Sequence, residues 1–102
     1  MRLNIISADE LDPYIERGNC ILIDVRRPSE FRMEHIKGAI NFPYPTFEDW
    51  MYQLPKYVPI ILYCERGGAS LDLCKKLCRA GYDAITVNGG IIAYRGKYLI
   101  TS

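Results

Sequence analysis

Pro59, Ile60, Ile61, Leu62, Tyr63, Cys64, Glu65, Arg66, Gly67, Gly68, Ala69 and Ser70 are the residues that decide the fold of this chain. An apolar run from Pro59 to Tyr63 leads straight into a cysteine. Two glycines follow, and a helical pattern begins near Ser70. A strand, a short Gly-rich loop and a helix N-terminus in that order favour a thiolate. The unpaired N–H groups of the loop and of the first helical turn converge on one small volume and attract negative charge. The stretch proposes a nucleophilic sulfur at Cys64 above an anion-binding cradle. The plainer reading is an ordinary buried strand cysteine, since free Cys is among the most buried residue types. That reading gives the glycine pair no purpose.

Outward from this stretch, strand and helix patterns alternate along the chain. Leu3 to Ile6 reads as a short strand. Ser7 offers an N-cap, with Glu10 three residues on as a capping box. Pro13 divides the helix that follows into two short turns, the second opening at Asp12, and Gly18 is a natural stop. Cys20 to Val25 is an apolar run broken only by Asp24, as in a strand buried on both faces. Pro28 to Glu34 suggests a short helix and Ala39 to Phe42 a short strand. Pro43 and Pro45 make a rigid turn. Thr46 then caps a helix carrying Phe47, Trp50, Met51 and Leu54, which Pro55 ends.

Beyond Ser70, Leu71, Cys74, Leu77 and Cys78 form a helical stripe that Gly81 closes. Lys75, Lys76 and Arg79 sit near the negative end of that helix. Ala84 to Val87 is the last strand, and Asn88, Gly89 and Gly90 turn into a closing helix around Ile91 to Tyr94. The connections are too long for hairpins, which argues an α/β layer fold with a mostly parallel sheet. In such sheets ligands sit outside the carboxyl ends of the strands. Cys64 lies at one such end and Asp24 near another.

A chain of 102 residues is expected to be one domain, residues 1–102. Its hydrophobic fraction of 49% and charged fraction of 25% are ordinary for a globular protein. A net charge of +1 gives no argument for nucleic acid or an anionic membrane as partner. No apolar run is long enough to span a bilayer, and Met1 to Ile6 shows no signal-peptide pattern. Three of the four cysteines, Cys20, Cys64, Cys74 and Cys78, sit inside apolar strand or helix patterns. Reduced thiols in a cytoplasmic protein fit better than a disulfide framework.

Taken together, four segments resemble the rhodanese family, in particular a single-domain rhodanese-like sulfurtransferase. The first is Leu22, Ile23, Asp24, Val25 and Arg26, followed by Glu30 and Phe31. The second runs from His35 through Ile36, Lys37, Gly38, Ala39 and Ile40 to Asn41, with Pro43 beyond. The third is Tyr63 and Cys64, with Gly67 and Ser70 at the third and sixth places after the cysteine. The fourth is Asn88, Gly89 and Gly90 before an aromatic at Tyr94. Each segment alone is a weak signal; their order and spacing over nearly the whole chain are specific.

The resemblance implies a three-layer α/β/α rhodanese-like fold with a mostly parallel five-stranded sheet. It implies a cycle in which Cys64 takes a sulfane sulfur from thiosulfate or a small persulfide and holds it as a cysteine persulfide. A thiol or cyanide then removes it. The partners implied are a small anionic sulfur donor, a thiol acceptor and a sulfur-donating or sulfur-accepting protein. Glu65, Arg66, Gly67, Gly68, Ala69 and Ser70 would form the substrate loop, their N–H groups facing the terminal sulfur. The chain departs from the family at Ala69, where active members often carry arginine or lysine. The cation stands instead at Arg66, where it either faces the pocket and binds an anionic donor or points to solvent.

Other polar residues read as supports. Asp24 interrupts an apolar strand, and a buried carboxylate must be paired. It ties down loop N–H groups or one of Arg26 and Arg27. His35 is expected to fix the chain between Phe31 and Gly38 by hydrogen bonding rather than to act as a base. Glu65 disfavours a neighbouring thiolate unless it points to solvent or pairs with Arg66. Cys74 and Cys78 read as core packing, and His35 is the sole histidine, so neither a metal nor another cofactor is expected. Trp50, Phe47 and Met51 are core residues or one wall of the site.

Two other functions compete. A phosphatase or arsenate reductase of the cell-cycle phosphatase type would need arginine where Ser70 stands, to clamp oxyanion oxygens, and a longer loop. A non-catalytic rhodanese-like binding or regulatory module would have no use for the cysteine that this chain keeps.

Overall fold

The computed structural model describes residues 3–102; Met1 and Arg2, where the leader reading begins, lie outside the described residues. Five strands form one sheet, parallel throughout. They are β1 (Asn4–Ser7), β2 (Ile21–Asp24), β4 (Ile40–Asn41), β5 (Ile60–Tyr63) and β6 (Ala84–Asn88), in the order β1-β6-β5-β2-β4. Two further strands, β3 (Glu34–Ile36) and β7 (Leu99–Thr101), pair antiparallel as a separate ribbon. The helices are α1 (Leu11–Arg17), α2 (Pro28–Met33), α3 (Phe47–Trp50) and α4 (Gly68–Arg79).

Strand β5 is the middle of the sheet, and none of its side chains reaches solvent. The two-residue alternation of a strand sends them to opposite cores. Ile60 and Leu62 pack with Phe47, Trp50, Leu73, Cys74 and Leu77 of α3 and α4. Ile61 and Tyr63 pack with Leu11 of α1, Ile36, Ile91 and Tyr94. Helical residues therefore cover both faces, which is the expected α/β/α layering. Each fully buried Leu or Ile side chain contributes roughly 1.5–3 kcal/mol of transfer free energy.

Several local boundaries move for physical reasons. The helix after the cysteine begins at Gly68, not near Ser70, and its buried stripe is Ser70, Leu73, Cys74 and Leu77. Leu73 thus replaces Leu71 on the core face, and Cys78 is half-buried. The helix expected at 46–54 is only one turn, α3, flanked by tighter turns at Tyr44–Thr46 and Met51–Gln53. Pro43 anchors that segment by accepting the Trp50 indole N–H at 2.8 Å. Ahead of α1, a tight turn at Ala8–Glu10 absorbs the capping residues, and the Ser7 N–H donates to the Glu10 carboxylate at 2.8 Å. Pro13 is accommodated in the first turn of α1, where no internal N–H is required. Among the described residues, no helix is long and apolar enough to cross a membrane.

Candidate active site

Cys64 follows the last residue of β5 at the carboxyl edge of the sheet and is 5% exposed. Gly67 enters α4 with φ 114°, a left-handed conformation that side chains rarely adopt. A Cβ there would also press on the backbone N of Gly89 at 3.2 Å. This bend folds the loop back over the sulfur. The N–H of Gly67 reaches Cys64 Sγ at 3.1 Å and that of Ser70 at 3.4 Å. The Ser70 hydroxyl lies 3.5 Å from the same sulfur and 2.9 Å from the Thr86 hydroxyl of β6. Among the described residues, the N–H groups of Arg66, Gly68 and Ala69 meet no protein acceptor.

The carbonyls of Cys64 and Glu65 are bonded to the loop after β6. The N–H of Ile91 donates to the Cys64 carbonyl at 2.9 Å and that of Ile92 to the Glu65 carbonyl at 3.1 Å. Gly90, with φ 62°, lets the two segments touch; a Cβ there would collide with both carbonyls. The Cys64 and Glu65 carbonyl dipoles are thus engaged away from the sulfur while the Gly67 and Ser70 N–H dipoles point at it, which favours negative charge on it.

Asp24 and Arg26 form the support beneath. The Arg26 Nε lies 3.1 and 3.2 Å from the two Asp24 oxygens, its Nη2 lies 2.9 Å from Oδ2, and its backbone N–H donates to Oδ1 at 2.9 Å. Nη2 also donates to the Glu34 carbonyl at 2.6 Å. Burial alone would lower the Arg26 pKa, but the Asp24 carboxylate outweighs it and holds the guanidinium above its ordinary value. Asp24 thus does both of the things expected of it. Asn41 completes the support by donating to the carbonyls of Asp24 and Arg26 at 3.0 and 2.9 Å.

Tyr63, part of the cysteine segment but given no role of its own from the sequence, lies in this layer. Its hydroxyl accepts the Ile36 N–H at 3.0 Å, and burial followed by the Asp24 charge pushes its pKa up. The signal was a phenol inside a strand otherwise made of aliphatic residues.

Among the described residues, none of the other predicted site residues is hydrogen-bonded to the sulfur. His35 Nδ1 meets the Phe31 carbonyl at 2.9 Å and its ring stacks on Phe31, centroids 3.9 Å apart. That is a brace across the turn after α2. Glu65 pairs with Arg26, Nη1 to Oε1 at 3.6 Å, rather than with Arg66. Arg66 is exposed and has no carboxylate partner among the described residues. All four cysteines are free thiols. Cys74 is fully buried, and burial followed by the neighbouring Cys78 raises its pKa to about 12. Cys20 lines a separate groove of about 510 Å³ with Tyr14, Ile15 and Tyr98, away from the loop.

A parallel sheet wrapped by helices, with a cysteine loop cradled at the carboxyl end of its middle strand, defines a rhodanese fold. Residues 7–97 match the family described as Rhodanese-like domain, and the chain belongs to it. Its relatives include a thiosulfate sulfurtransferase of Tolumonas auensis, 26% identical over 98 residues, covering 95% of this chain and 92% of that protein. A tRNA sulfurtransferase of Desulfurococcus amylolyticus is 37% identical over 88 residues, or 86% of this chain, but the match spans only 17% of that longer protein. The crystal structure of a rhodanese-like domain protein from Staphylococcus aureus superposes with a TM-score of 0.87 at 27% identity, covering 98% of this chain and 99% of that one. Relatives named as sulfurtransferases over nearly their full length support a rhodanese-type sulfurtransferase.

Proposed function

We propose that this chain transfers sulfane sulfur through a persulfide on Cys64. The observation that carries the reading is the sulfur held by the N–H groups of Gly67 and Ser70 at 3.1 and 3.4 Å. The Cys64 thiolate attacks the outer sulfur of thiosulfate or of a small persulfide. The new S–S bond forms as the old one breaks, and sulfite or a thiolate leaves with the electron pair. A thiol or cyanide then attacks the outer sulfur of the Cys64 persulfide and releases the cysteine as thiolate. Glu65 to Ser70 form the substrate loop, in which the free N–H groups of Arg66, Gly68 and Ala69 are available to the terminal sulfur. Asp24, Arg26 and His35 hold the surrounding backbone. The setting is cytoplasmic, with reduced thiols, and the sulfur acceptor is a small thiol or a protein.

The test is incubation with thiosulfate or with glutathione persulfide, followed by intact mass. The chain gains one sulfur atom on Cys64, and Cys64→Ser gains none. Changing Cys20, Cys74 or Cys78 singly to Ala leaves transfer measurable. A folded protein that gains no sulfur from either donor is the binding module instead.

A further inference from the structure

The wall next to the cysteine loop is richer in negative than in positive charge. A cavity of about 300 Å³ opens there, lined by Arg26, Glu30, Met33, Glu34 and Glu65. Its one cation is committed elsewhere. Arg26 is 7% exposed, and Asp24, fully buried beneath it, already neutralises its charge. The Arg26 Nη1 meets Glu65 Oε1 at 3.6 Å. Glu30 is met by the exposed Arg27 at 3.7 Å, and Glu34 has no ion-pair partner among the described residues. Arg66 does not line this cavity.

The Glu65 backbone is fixed beside the cysteine, while its side chain is half exposed and reaches Arg26. Glu65 directly follows Cys64, and its carbonyl is fixed by the Ile92 N–H. Granting the sulfurtransferase reading above, we infer that Glu65 is a specificity-determining residue: it selects against the thiosulfate dianion and for a persulfide on an uncharged or cationic carrier. The carboxylate repels a dianion on approach, and the sulfite it releases on departure. Like charges within about 8 Å are incompletely screened at physiological salt. A persulfide on an aminothiol meets the same wall with an attractive charge. In that step the Cys64 thiolate takes the outer sulfur, the carrier's S–S bond breaks, and the carrier leaves as its thiolate.

The experiment compares sulfur loading from thiosulfate with loading from the persulfide of 2-aminoethanethiol, in the intact wild-type chain, Glu65→Gln and Glu65→Lys. Glu65→Gln keeps the shape and leaves Arg26 paired with Asp24. At low salt it raises kcat/KM for thiosulfate roughly three- to tenfold, through KM, and does not raise it for the aminothiol persulfide. Glu65→Lys moves the ratio of the two donors further in the same direction, and high salt reduces both effects to less than about twofold. An unchanged or lower thiosulfate kcat/KM in Glu65→Gln overturns the inference, and so does an equal change for both donors. Failure of the wild type to gain sulfur from either donor overturns the sulfurtransferase reading and this inference with it.

Discussion

The amide of Ile91 donates to the carbonyl of Cys64 at 2.9 Å, joining the loop after β6 to the loop after β5. The bond removes the cysteine's own carbonyl from the volume its sulfur occupies. It exists because Gly90 has no Cβ to press on that carbonyl.

Gly90→Ala therefore acts on the site without touching the sulfur. Its φ of 62° is strained for any side chain, at a cost on the order of 1–3 kcal/mol. The Cys64 and Glu65 carbonyls must also move. Transfer activity is expected to fall at least about tenfold, since a displacement of about 1 Å can cost a hundredfold. Steady-state kinetics beside urea denaturation will show whether activity drops while the fold persists.

Asp24→Ala leaves the buried Arg26 guanidinium with only the half-exposed Glu65, at 3.6 Å, as counter-charge. Removing one partner of a buried pair costs about 3–5 kcal/mol. The double variant Asp24→Ala, Arg26→Met is expected to recover part of that loss, because the stranded charge goes too. Equilibrium denaturation of both variants measures the difference; equal stability of the two would mean that solvent reaches Arg26 once Asp24 is gone.

Cys74 makes the fold sensitive to alkali. Its thiol pKa is raised to about 12 in the folded chain, against an ordinary value near 9.0 when unfolded. The unfolded chain loses this proton first, so stability is full below about pH 9 and declines as pH rises toward 12. Cys74→Val removes this contribution, and its denaturation midpoint should fall less steeply across that window. In the native wild type at mildly alkaline pH, iodoacetamide is expected to spare Cys74.

Arg66 is exposed at the crest of the loop. Arg66→Ala is expected to change the KM for thiosulfate by less than about twofold, since Arg66, unlike Glu65, does not line the cavity beside the loop. Initial-rate measurements at low salt check this; a rise in KM of about fivefold or more would place the guanidinium on the bound donor.

The parts of the fold governed by near-neighbour rules were legible in the sequence. The aliphatic runs at Ile21–Asp24 and Ile60–Tyr63 are buried strands, and the cysteine–glycine stretch leads into a helix as its spacing requires. Asp24 was legible as a paired carboxylate because a lone charge in an apolar strand needs a partner. The β3–β7 ribbon was not: Glu34–Ile36 and Leu99–Thr101 are short, half polar or exposed, and are strands only through each other. Nor was the Glu65–Arg26 pair, because it depends on β2 lying beside β5, which local pattern does not reveal.

Strand β1 pairs in register with β6, Asn4 opposite Ile85 and Ser7 opposite Asn88. In a chain made from its N-terminus, the first strand emerges long before its partner exists. At about 5–20 residues per second, it waits for some seconds with its ladder groups unpaired. The sheet thus closes through a contact between strands about 80 positions apart, and such distant pairings slow folding. A polypeptide stalled before Ala84 would have most of its strands but no neighbour for β1, leaving that strand's backbone groups open to another chain.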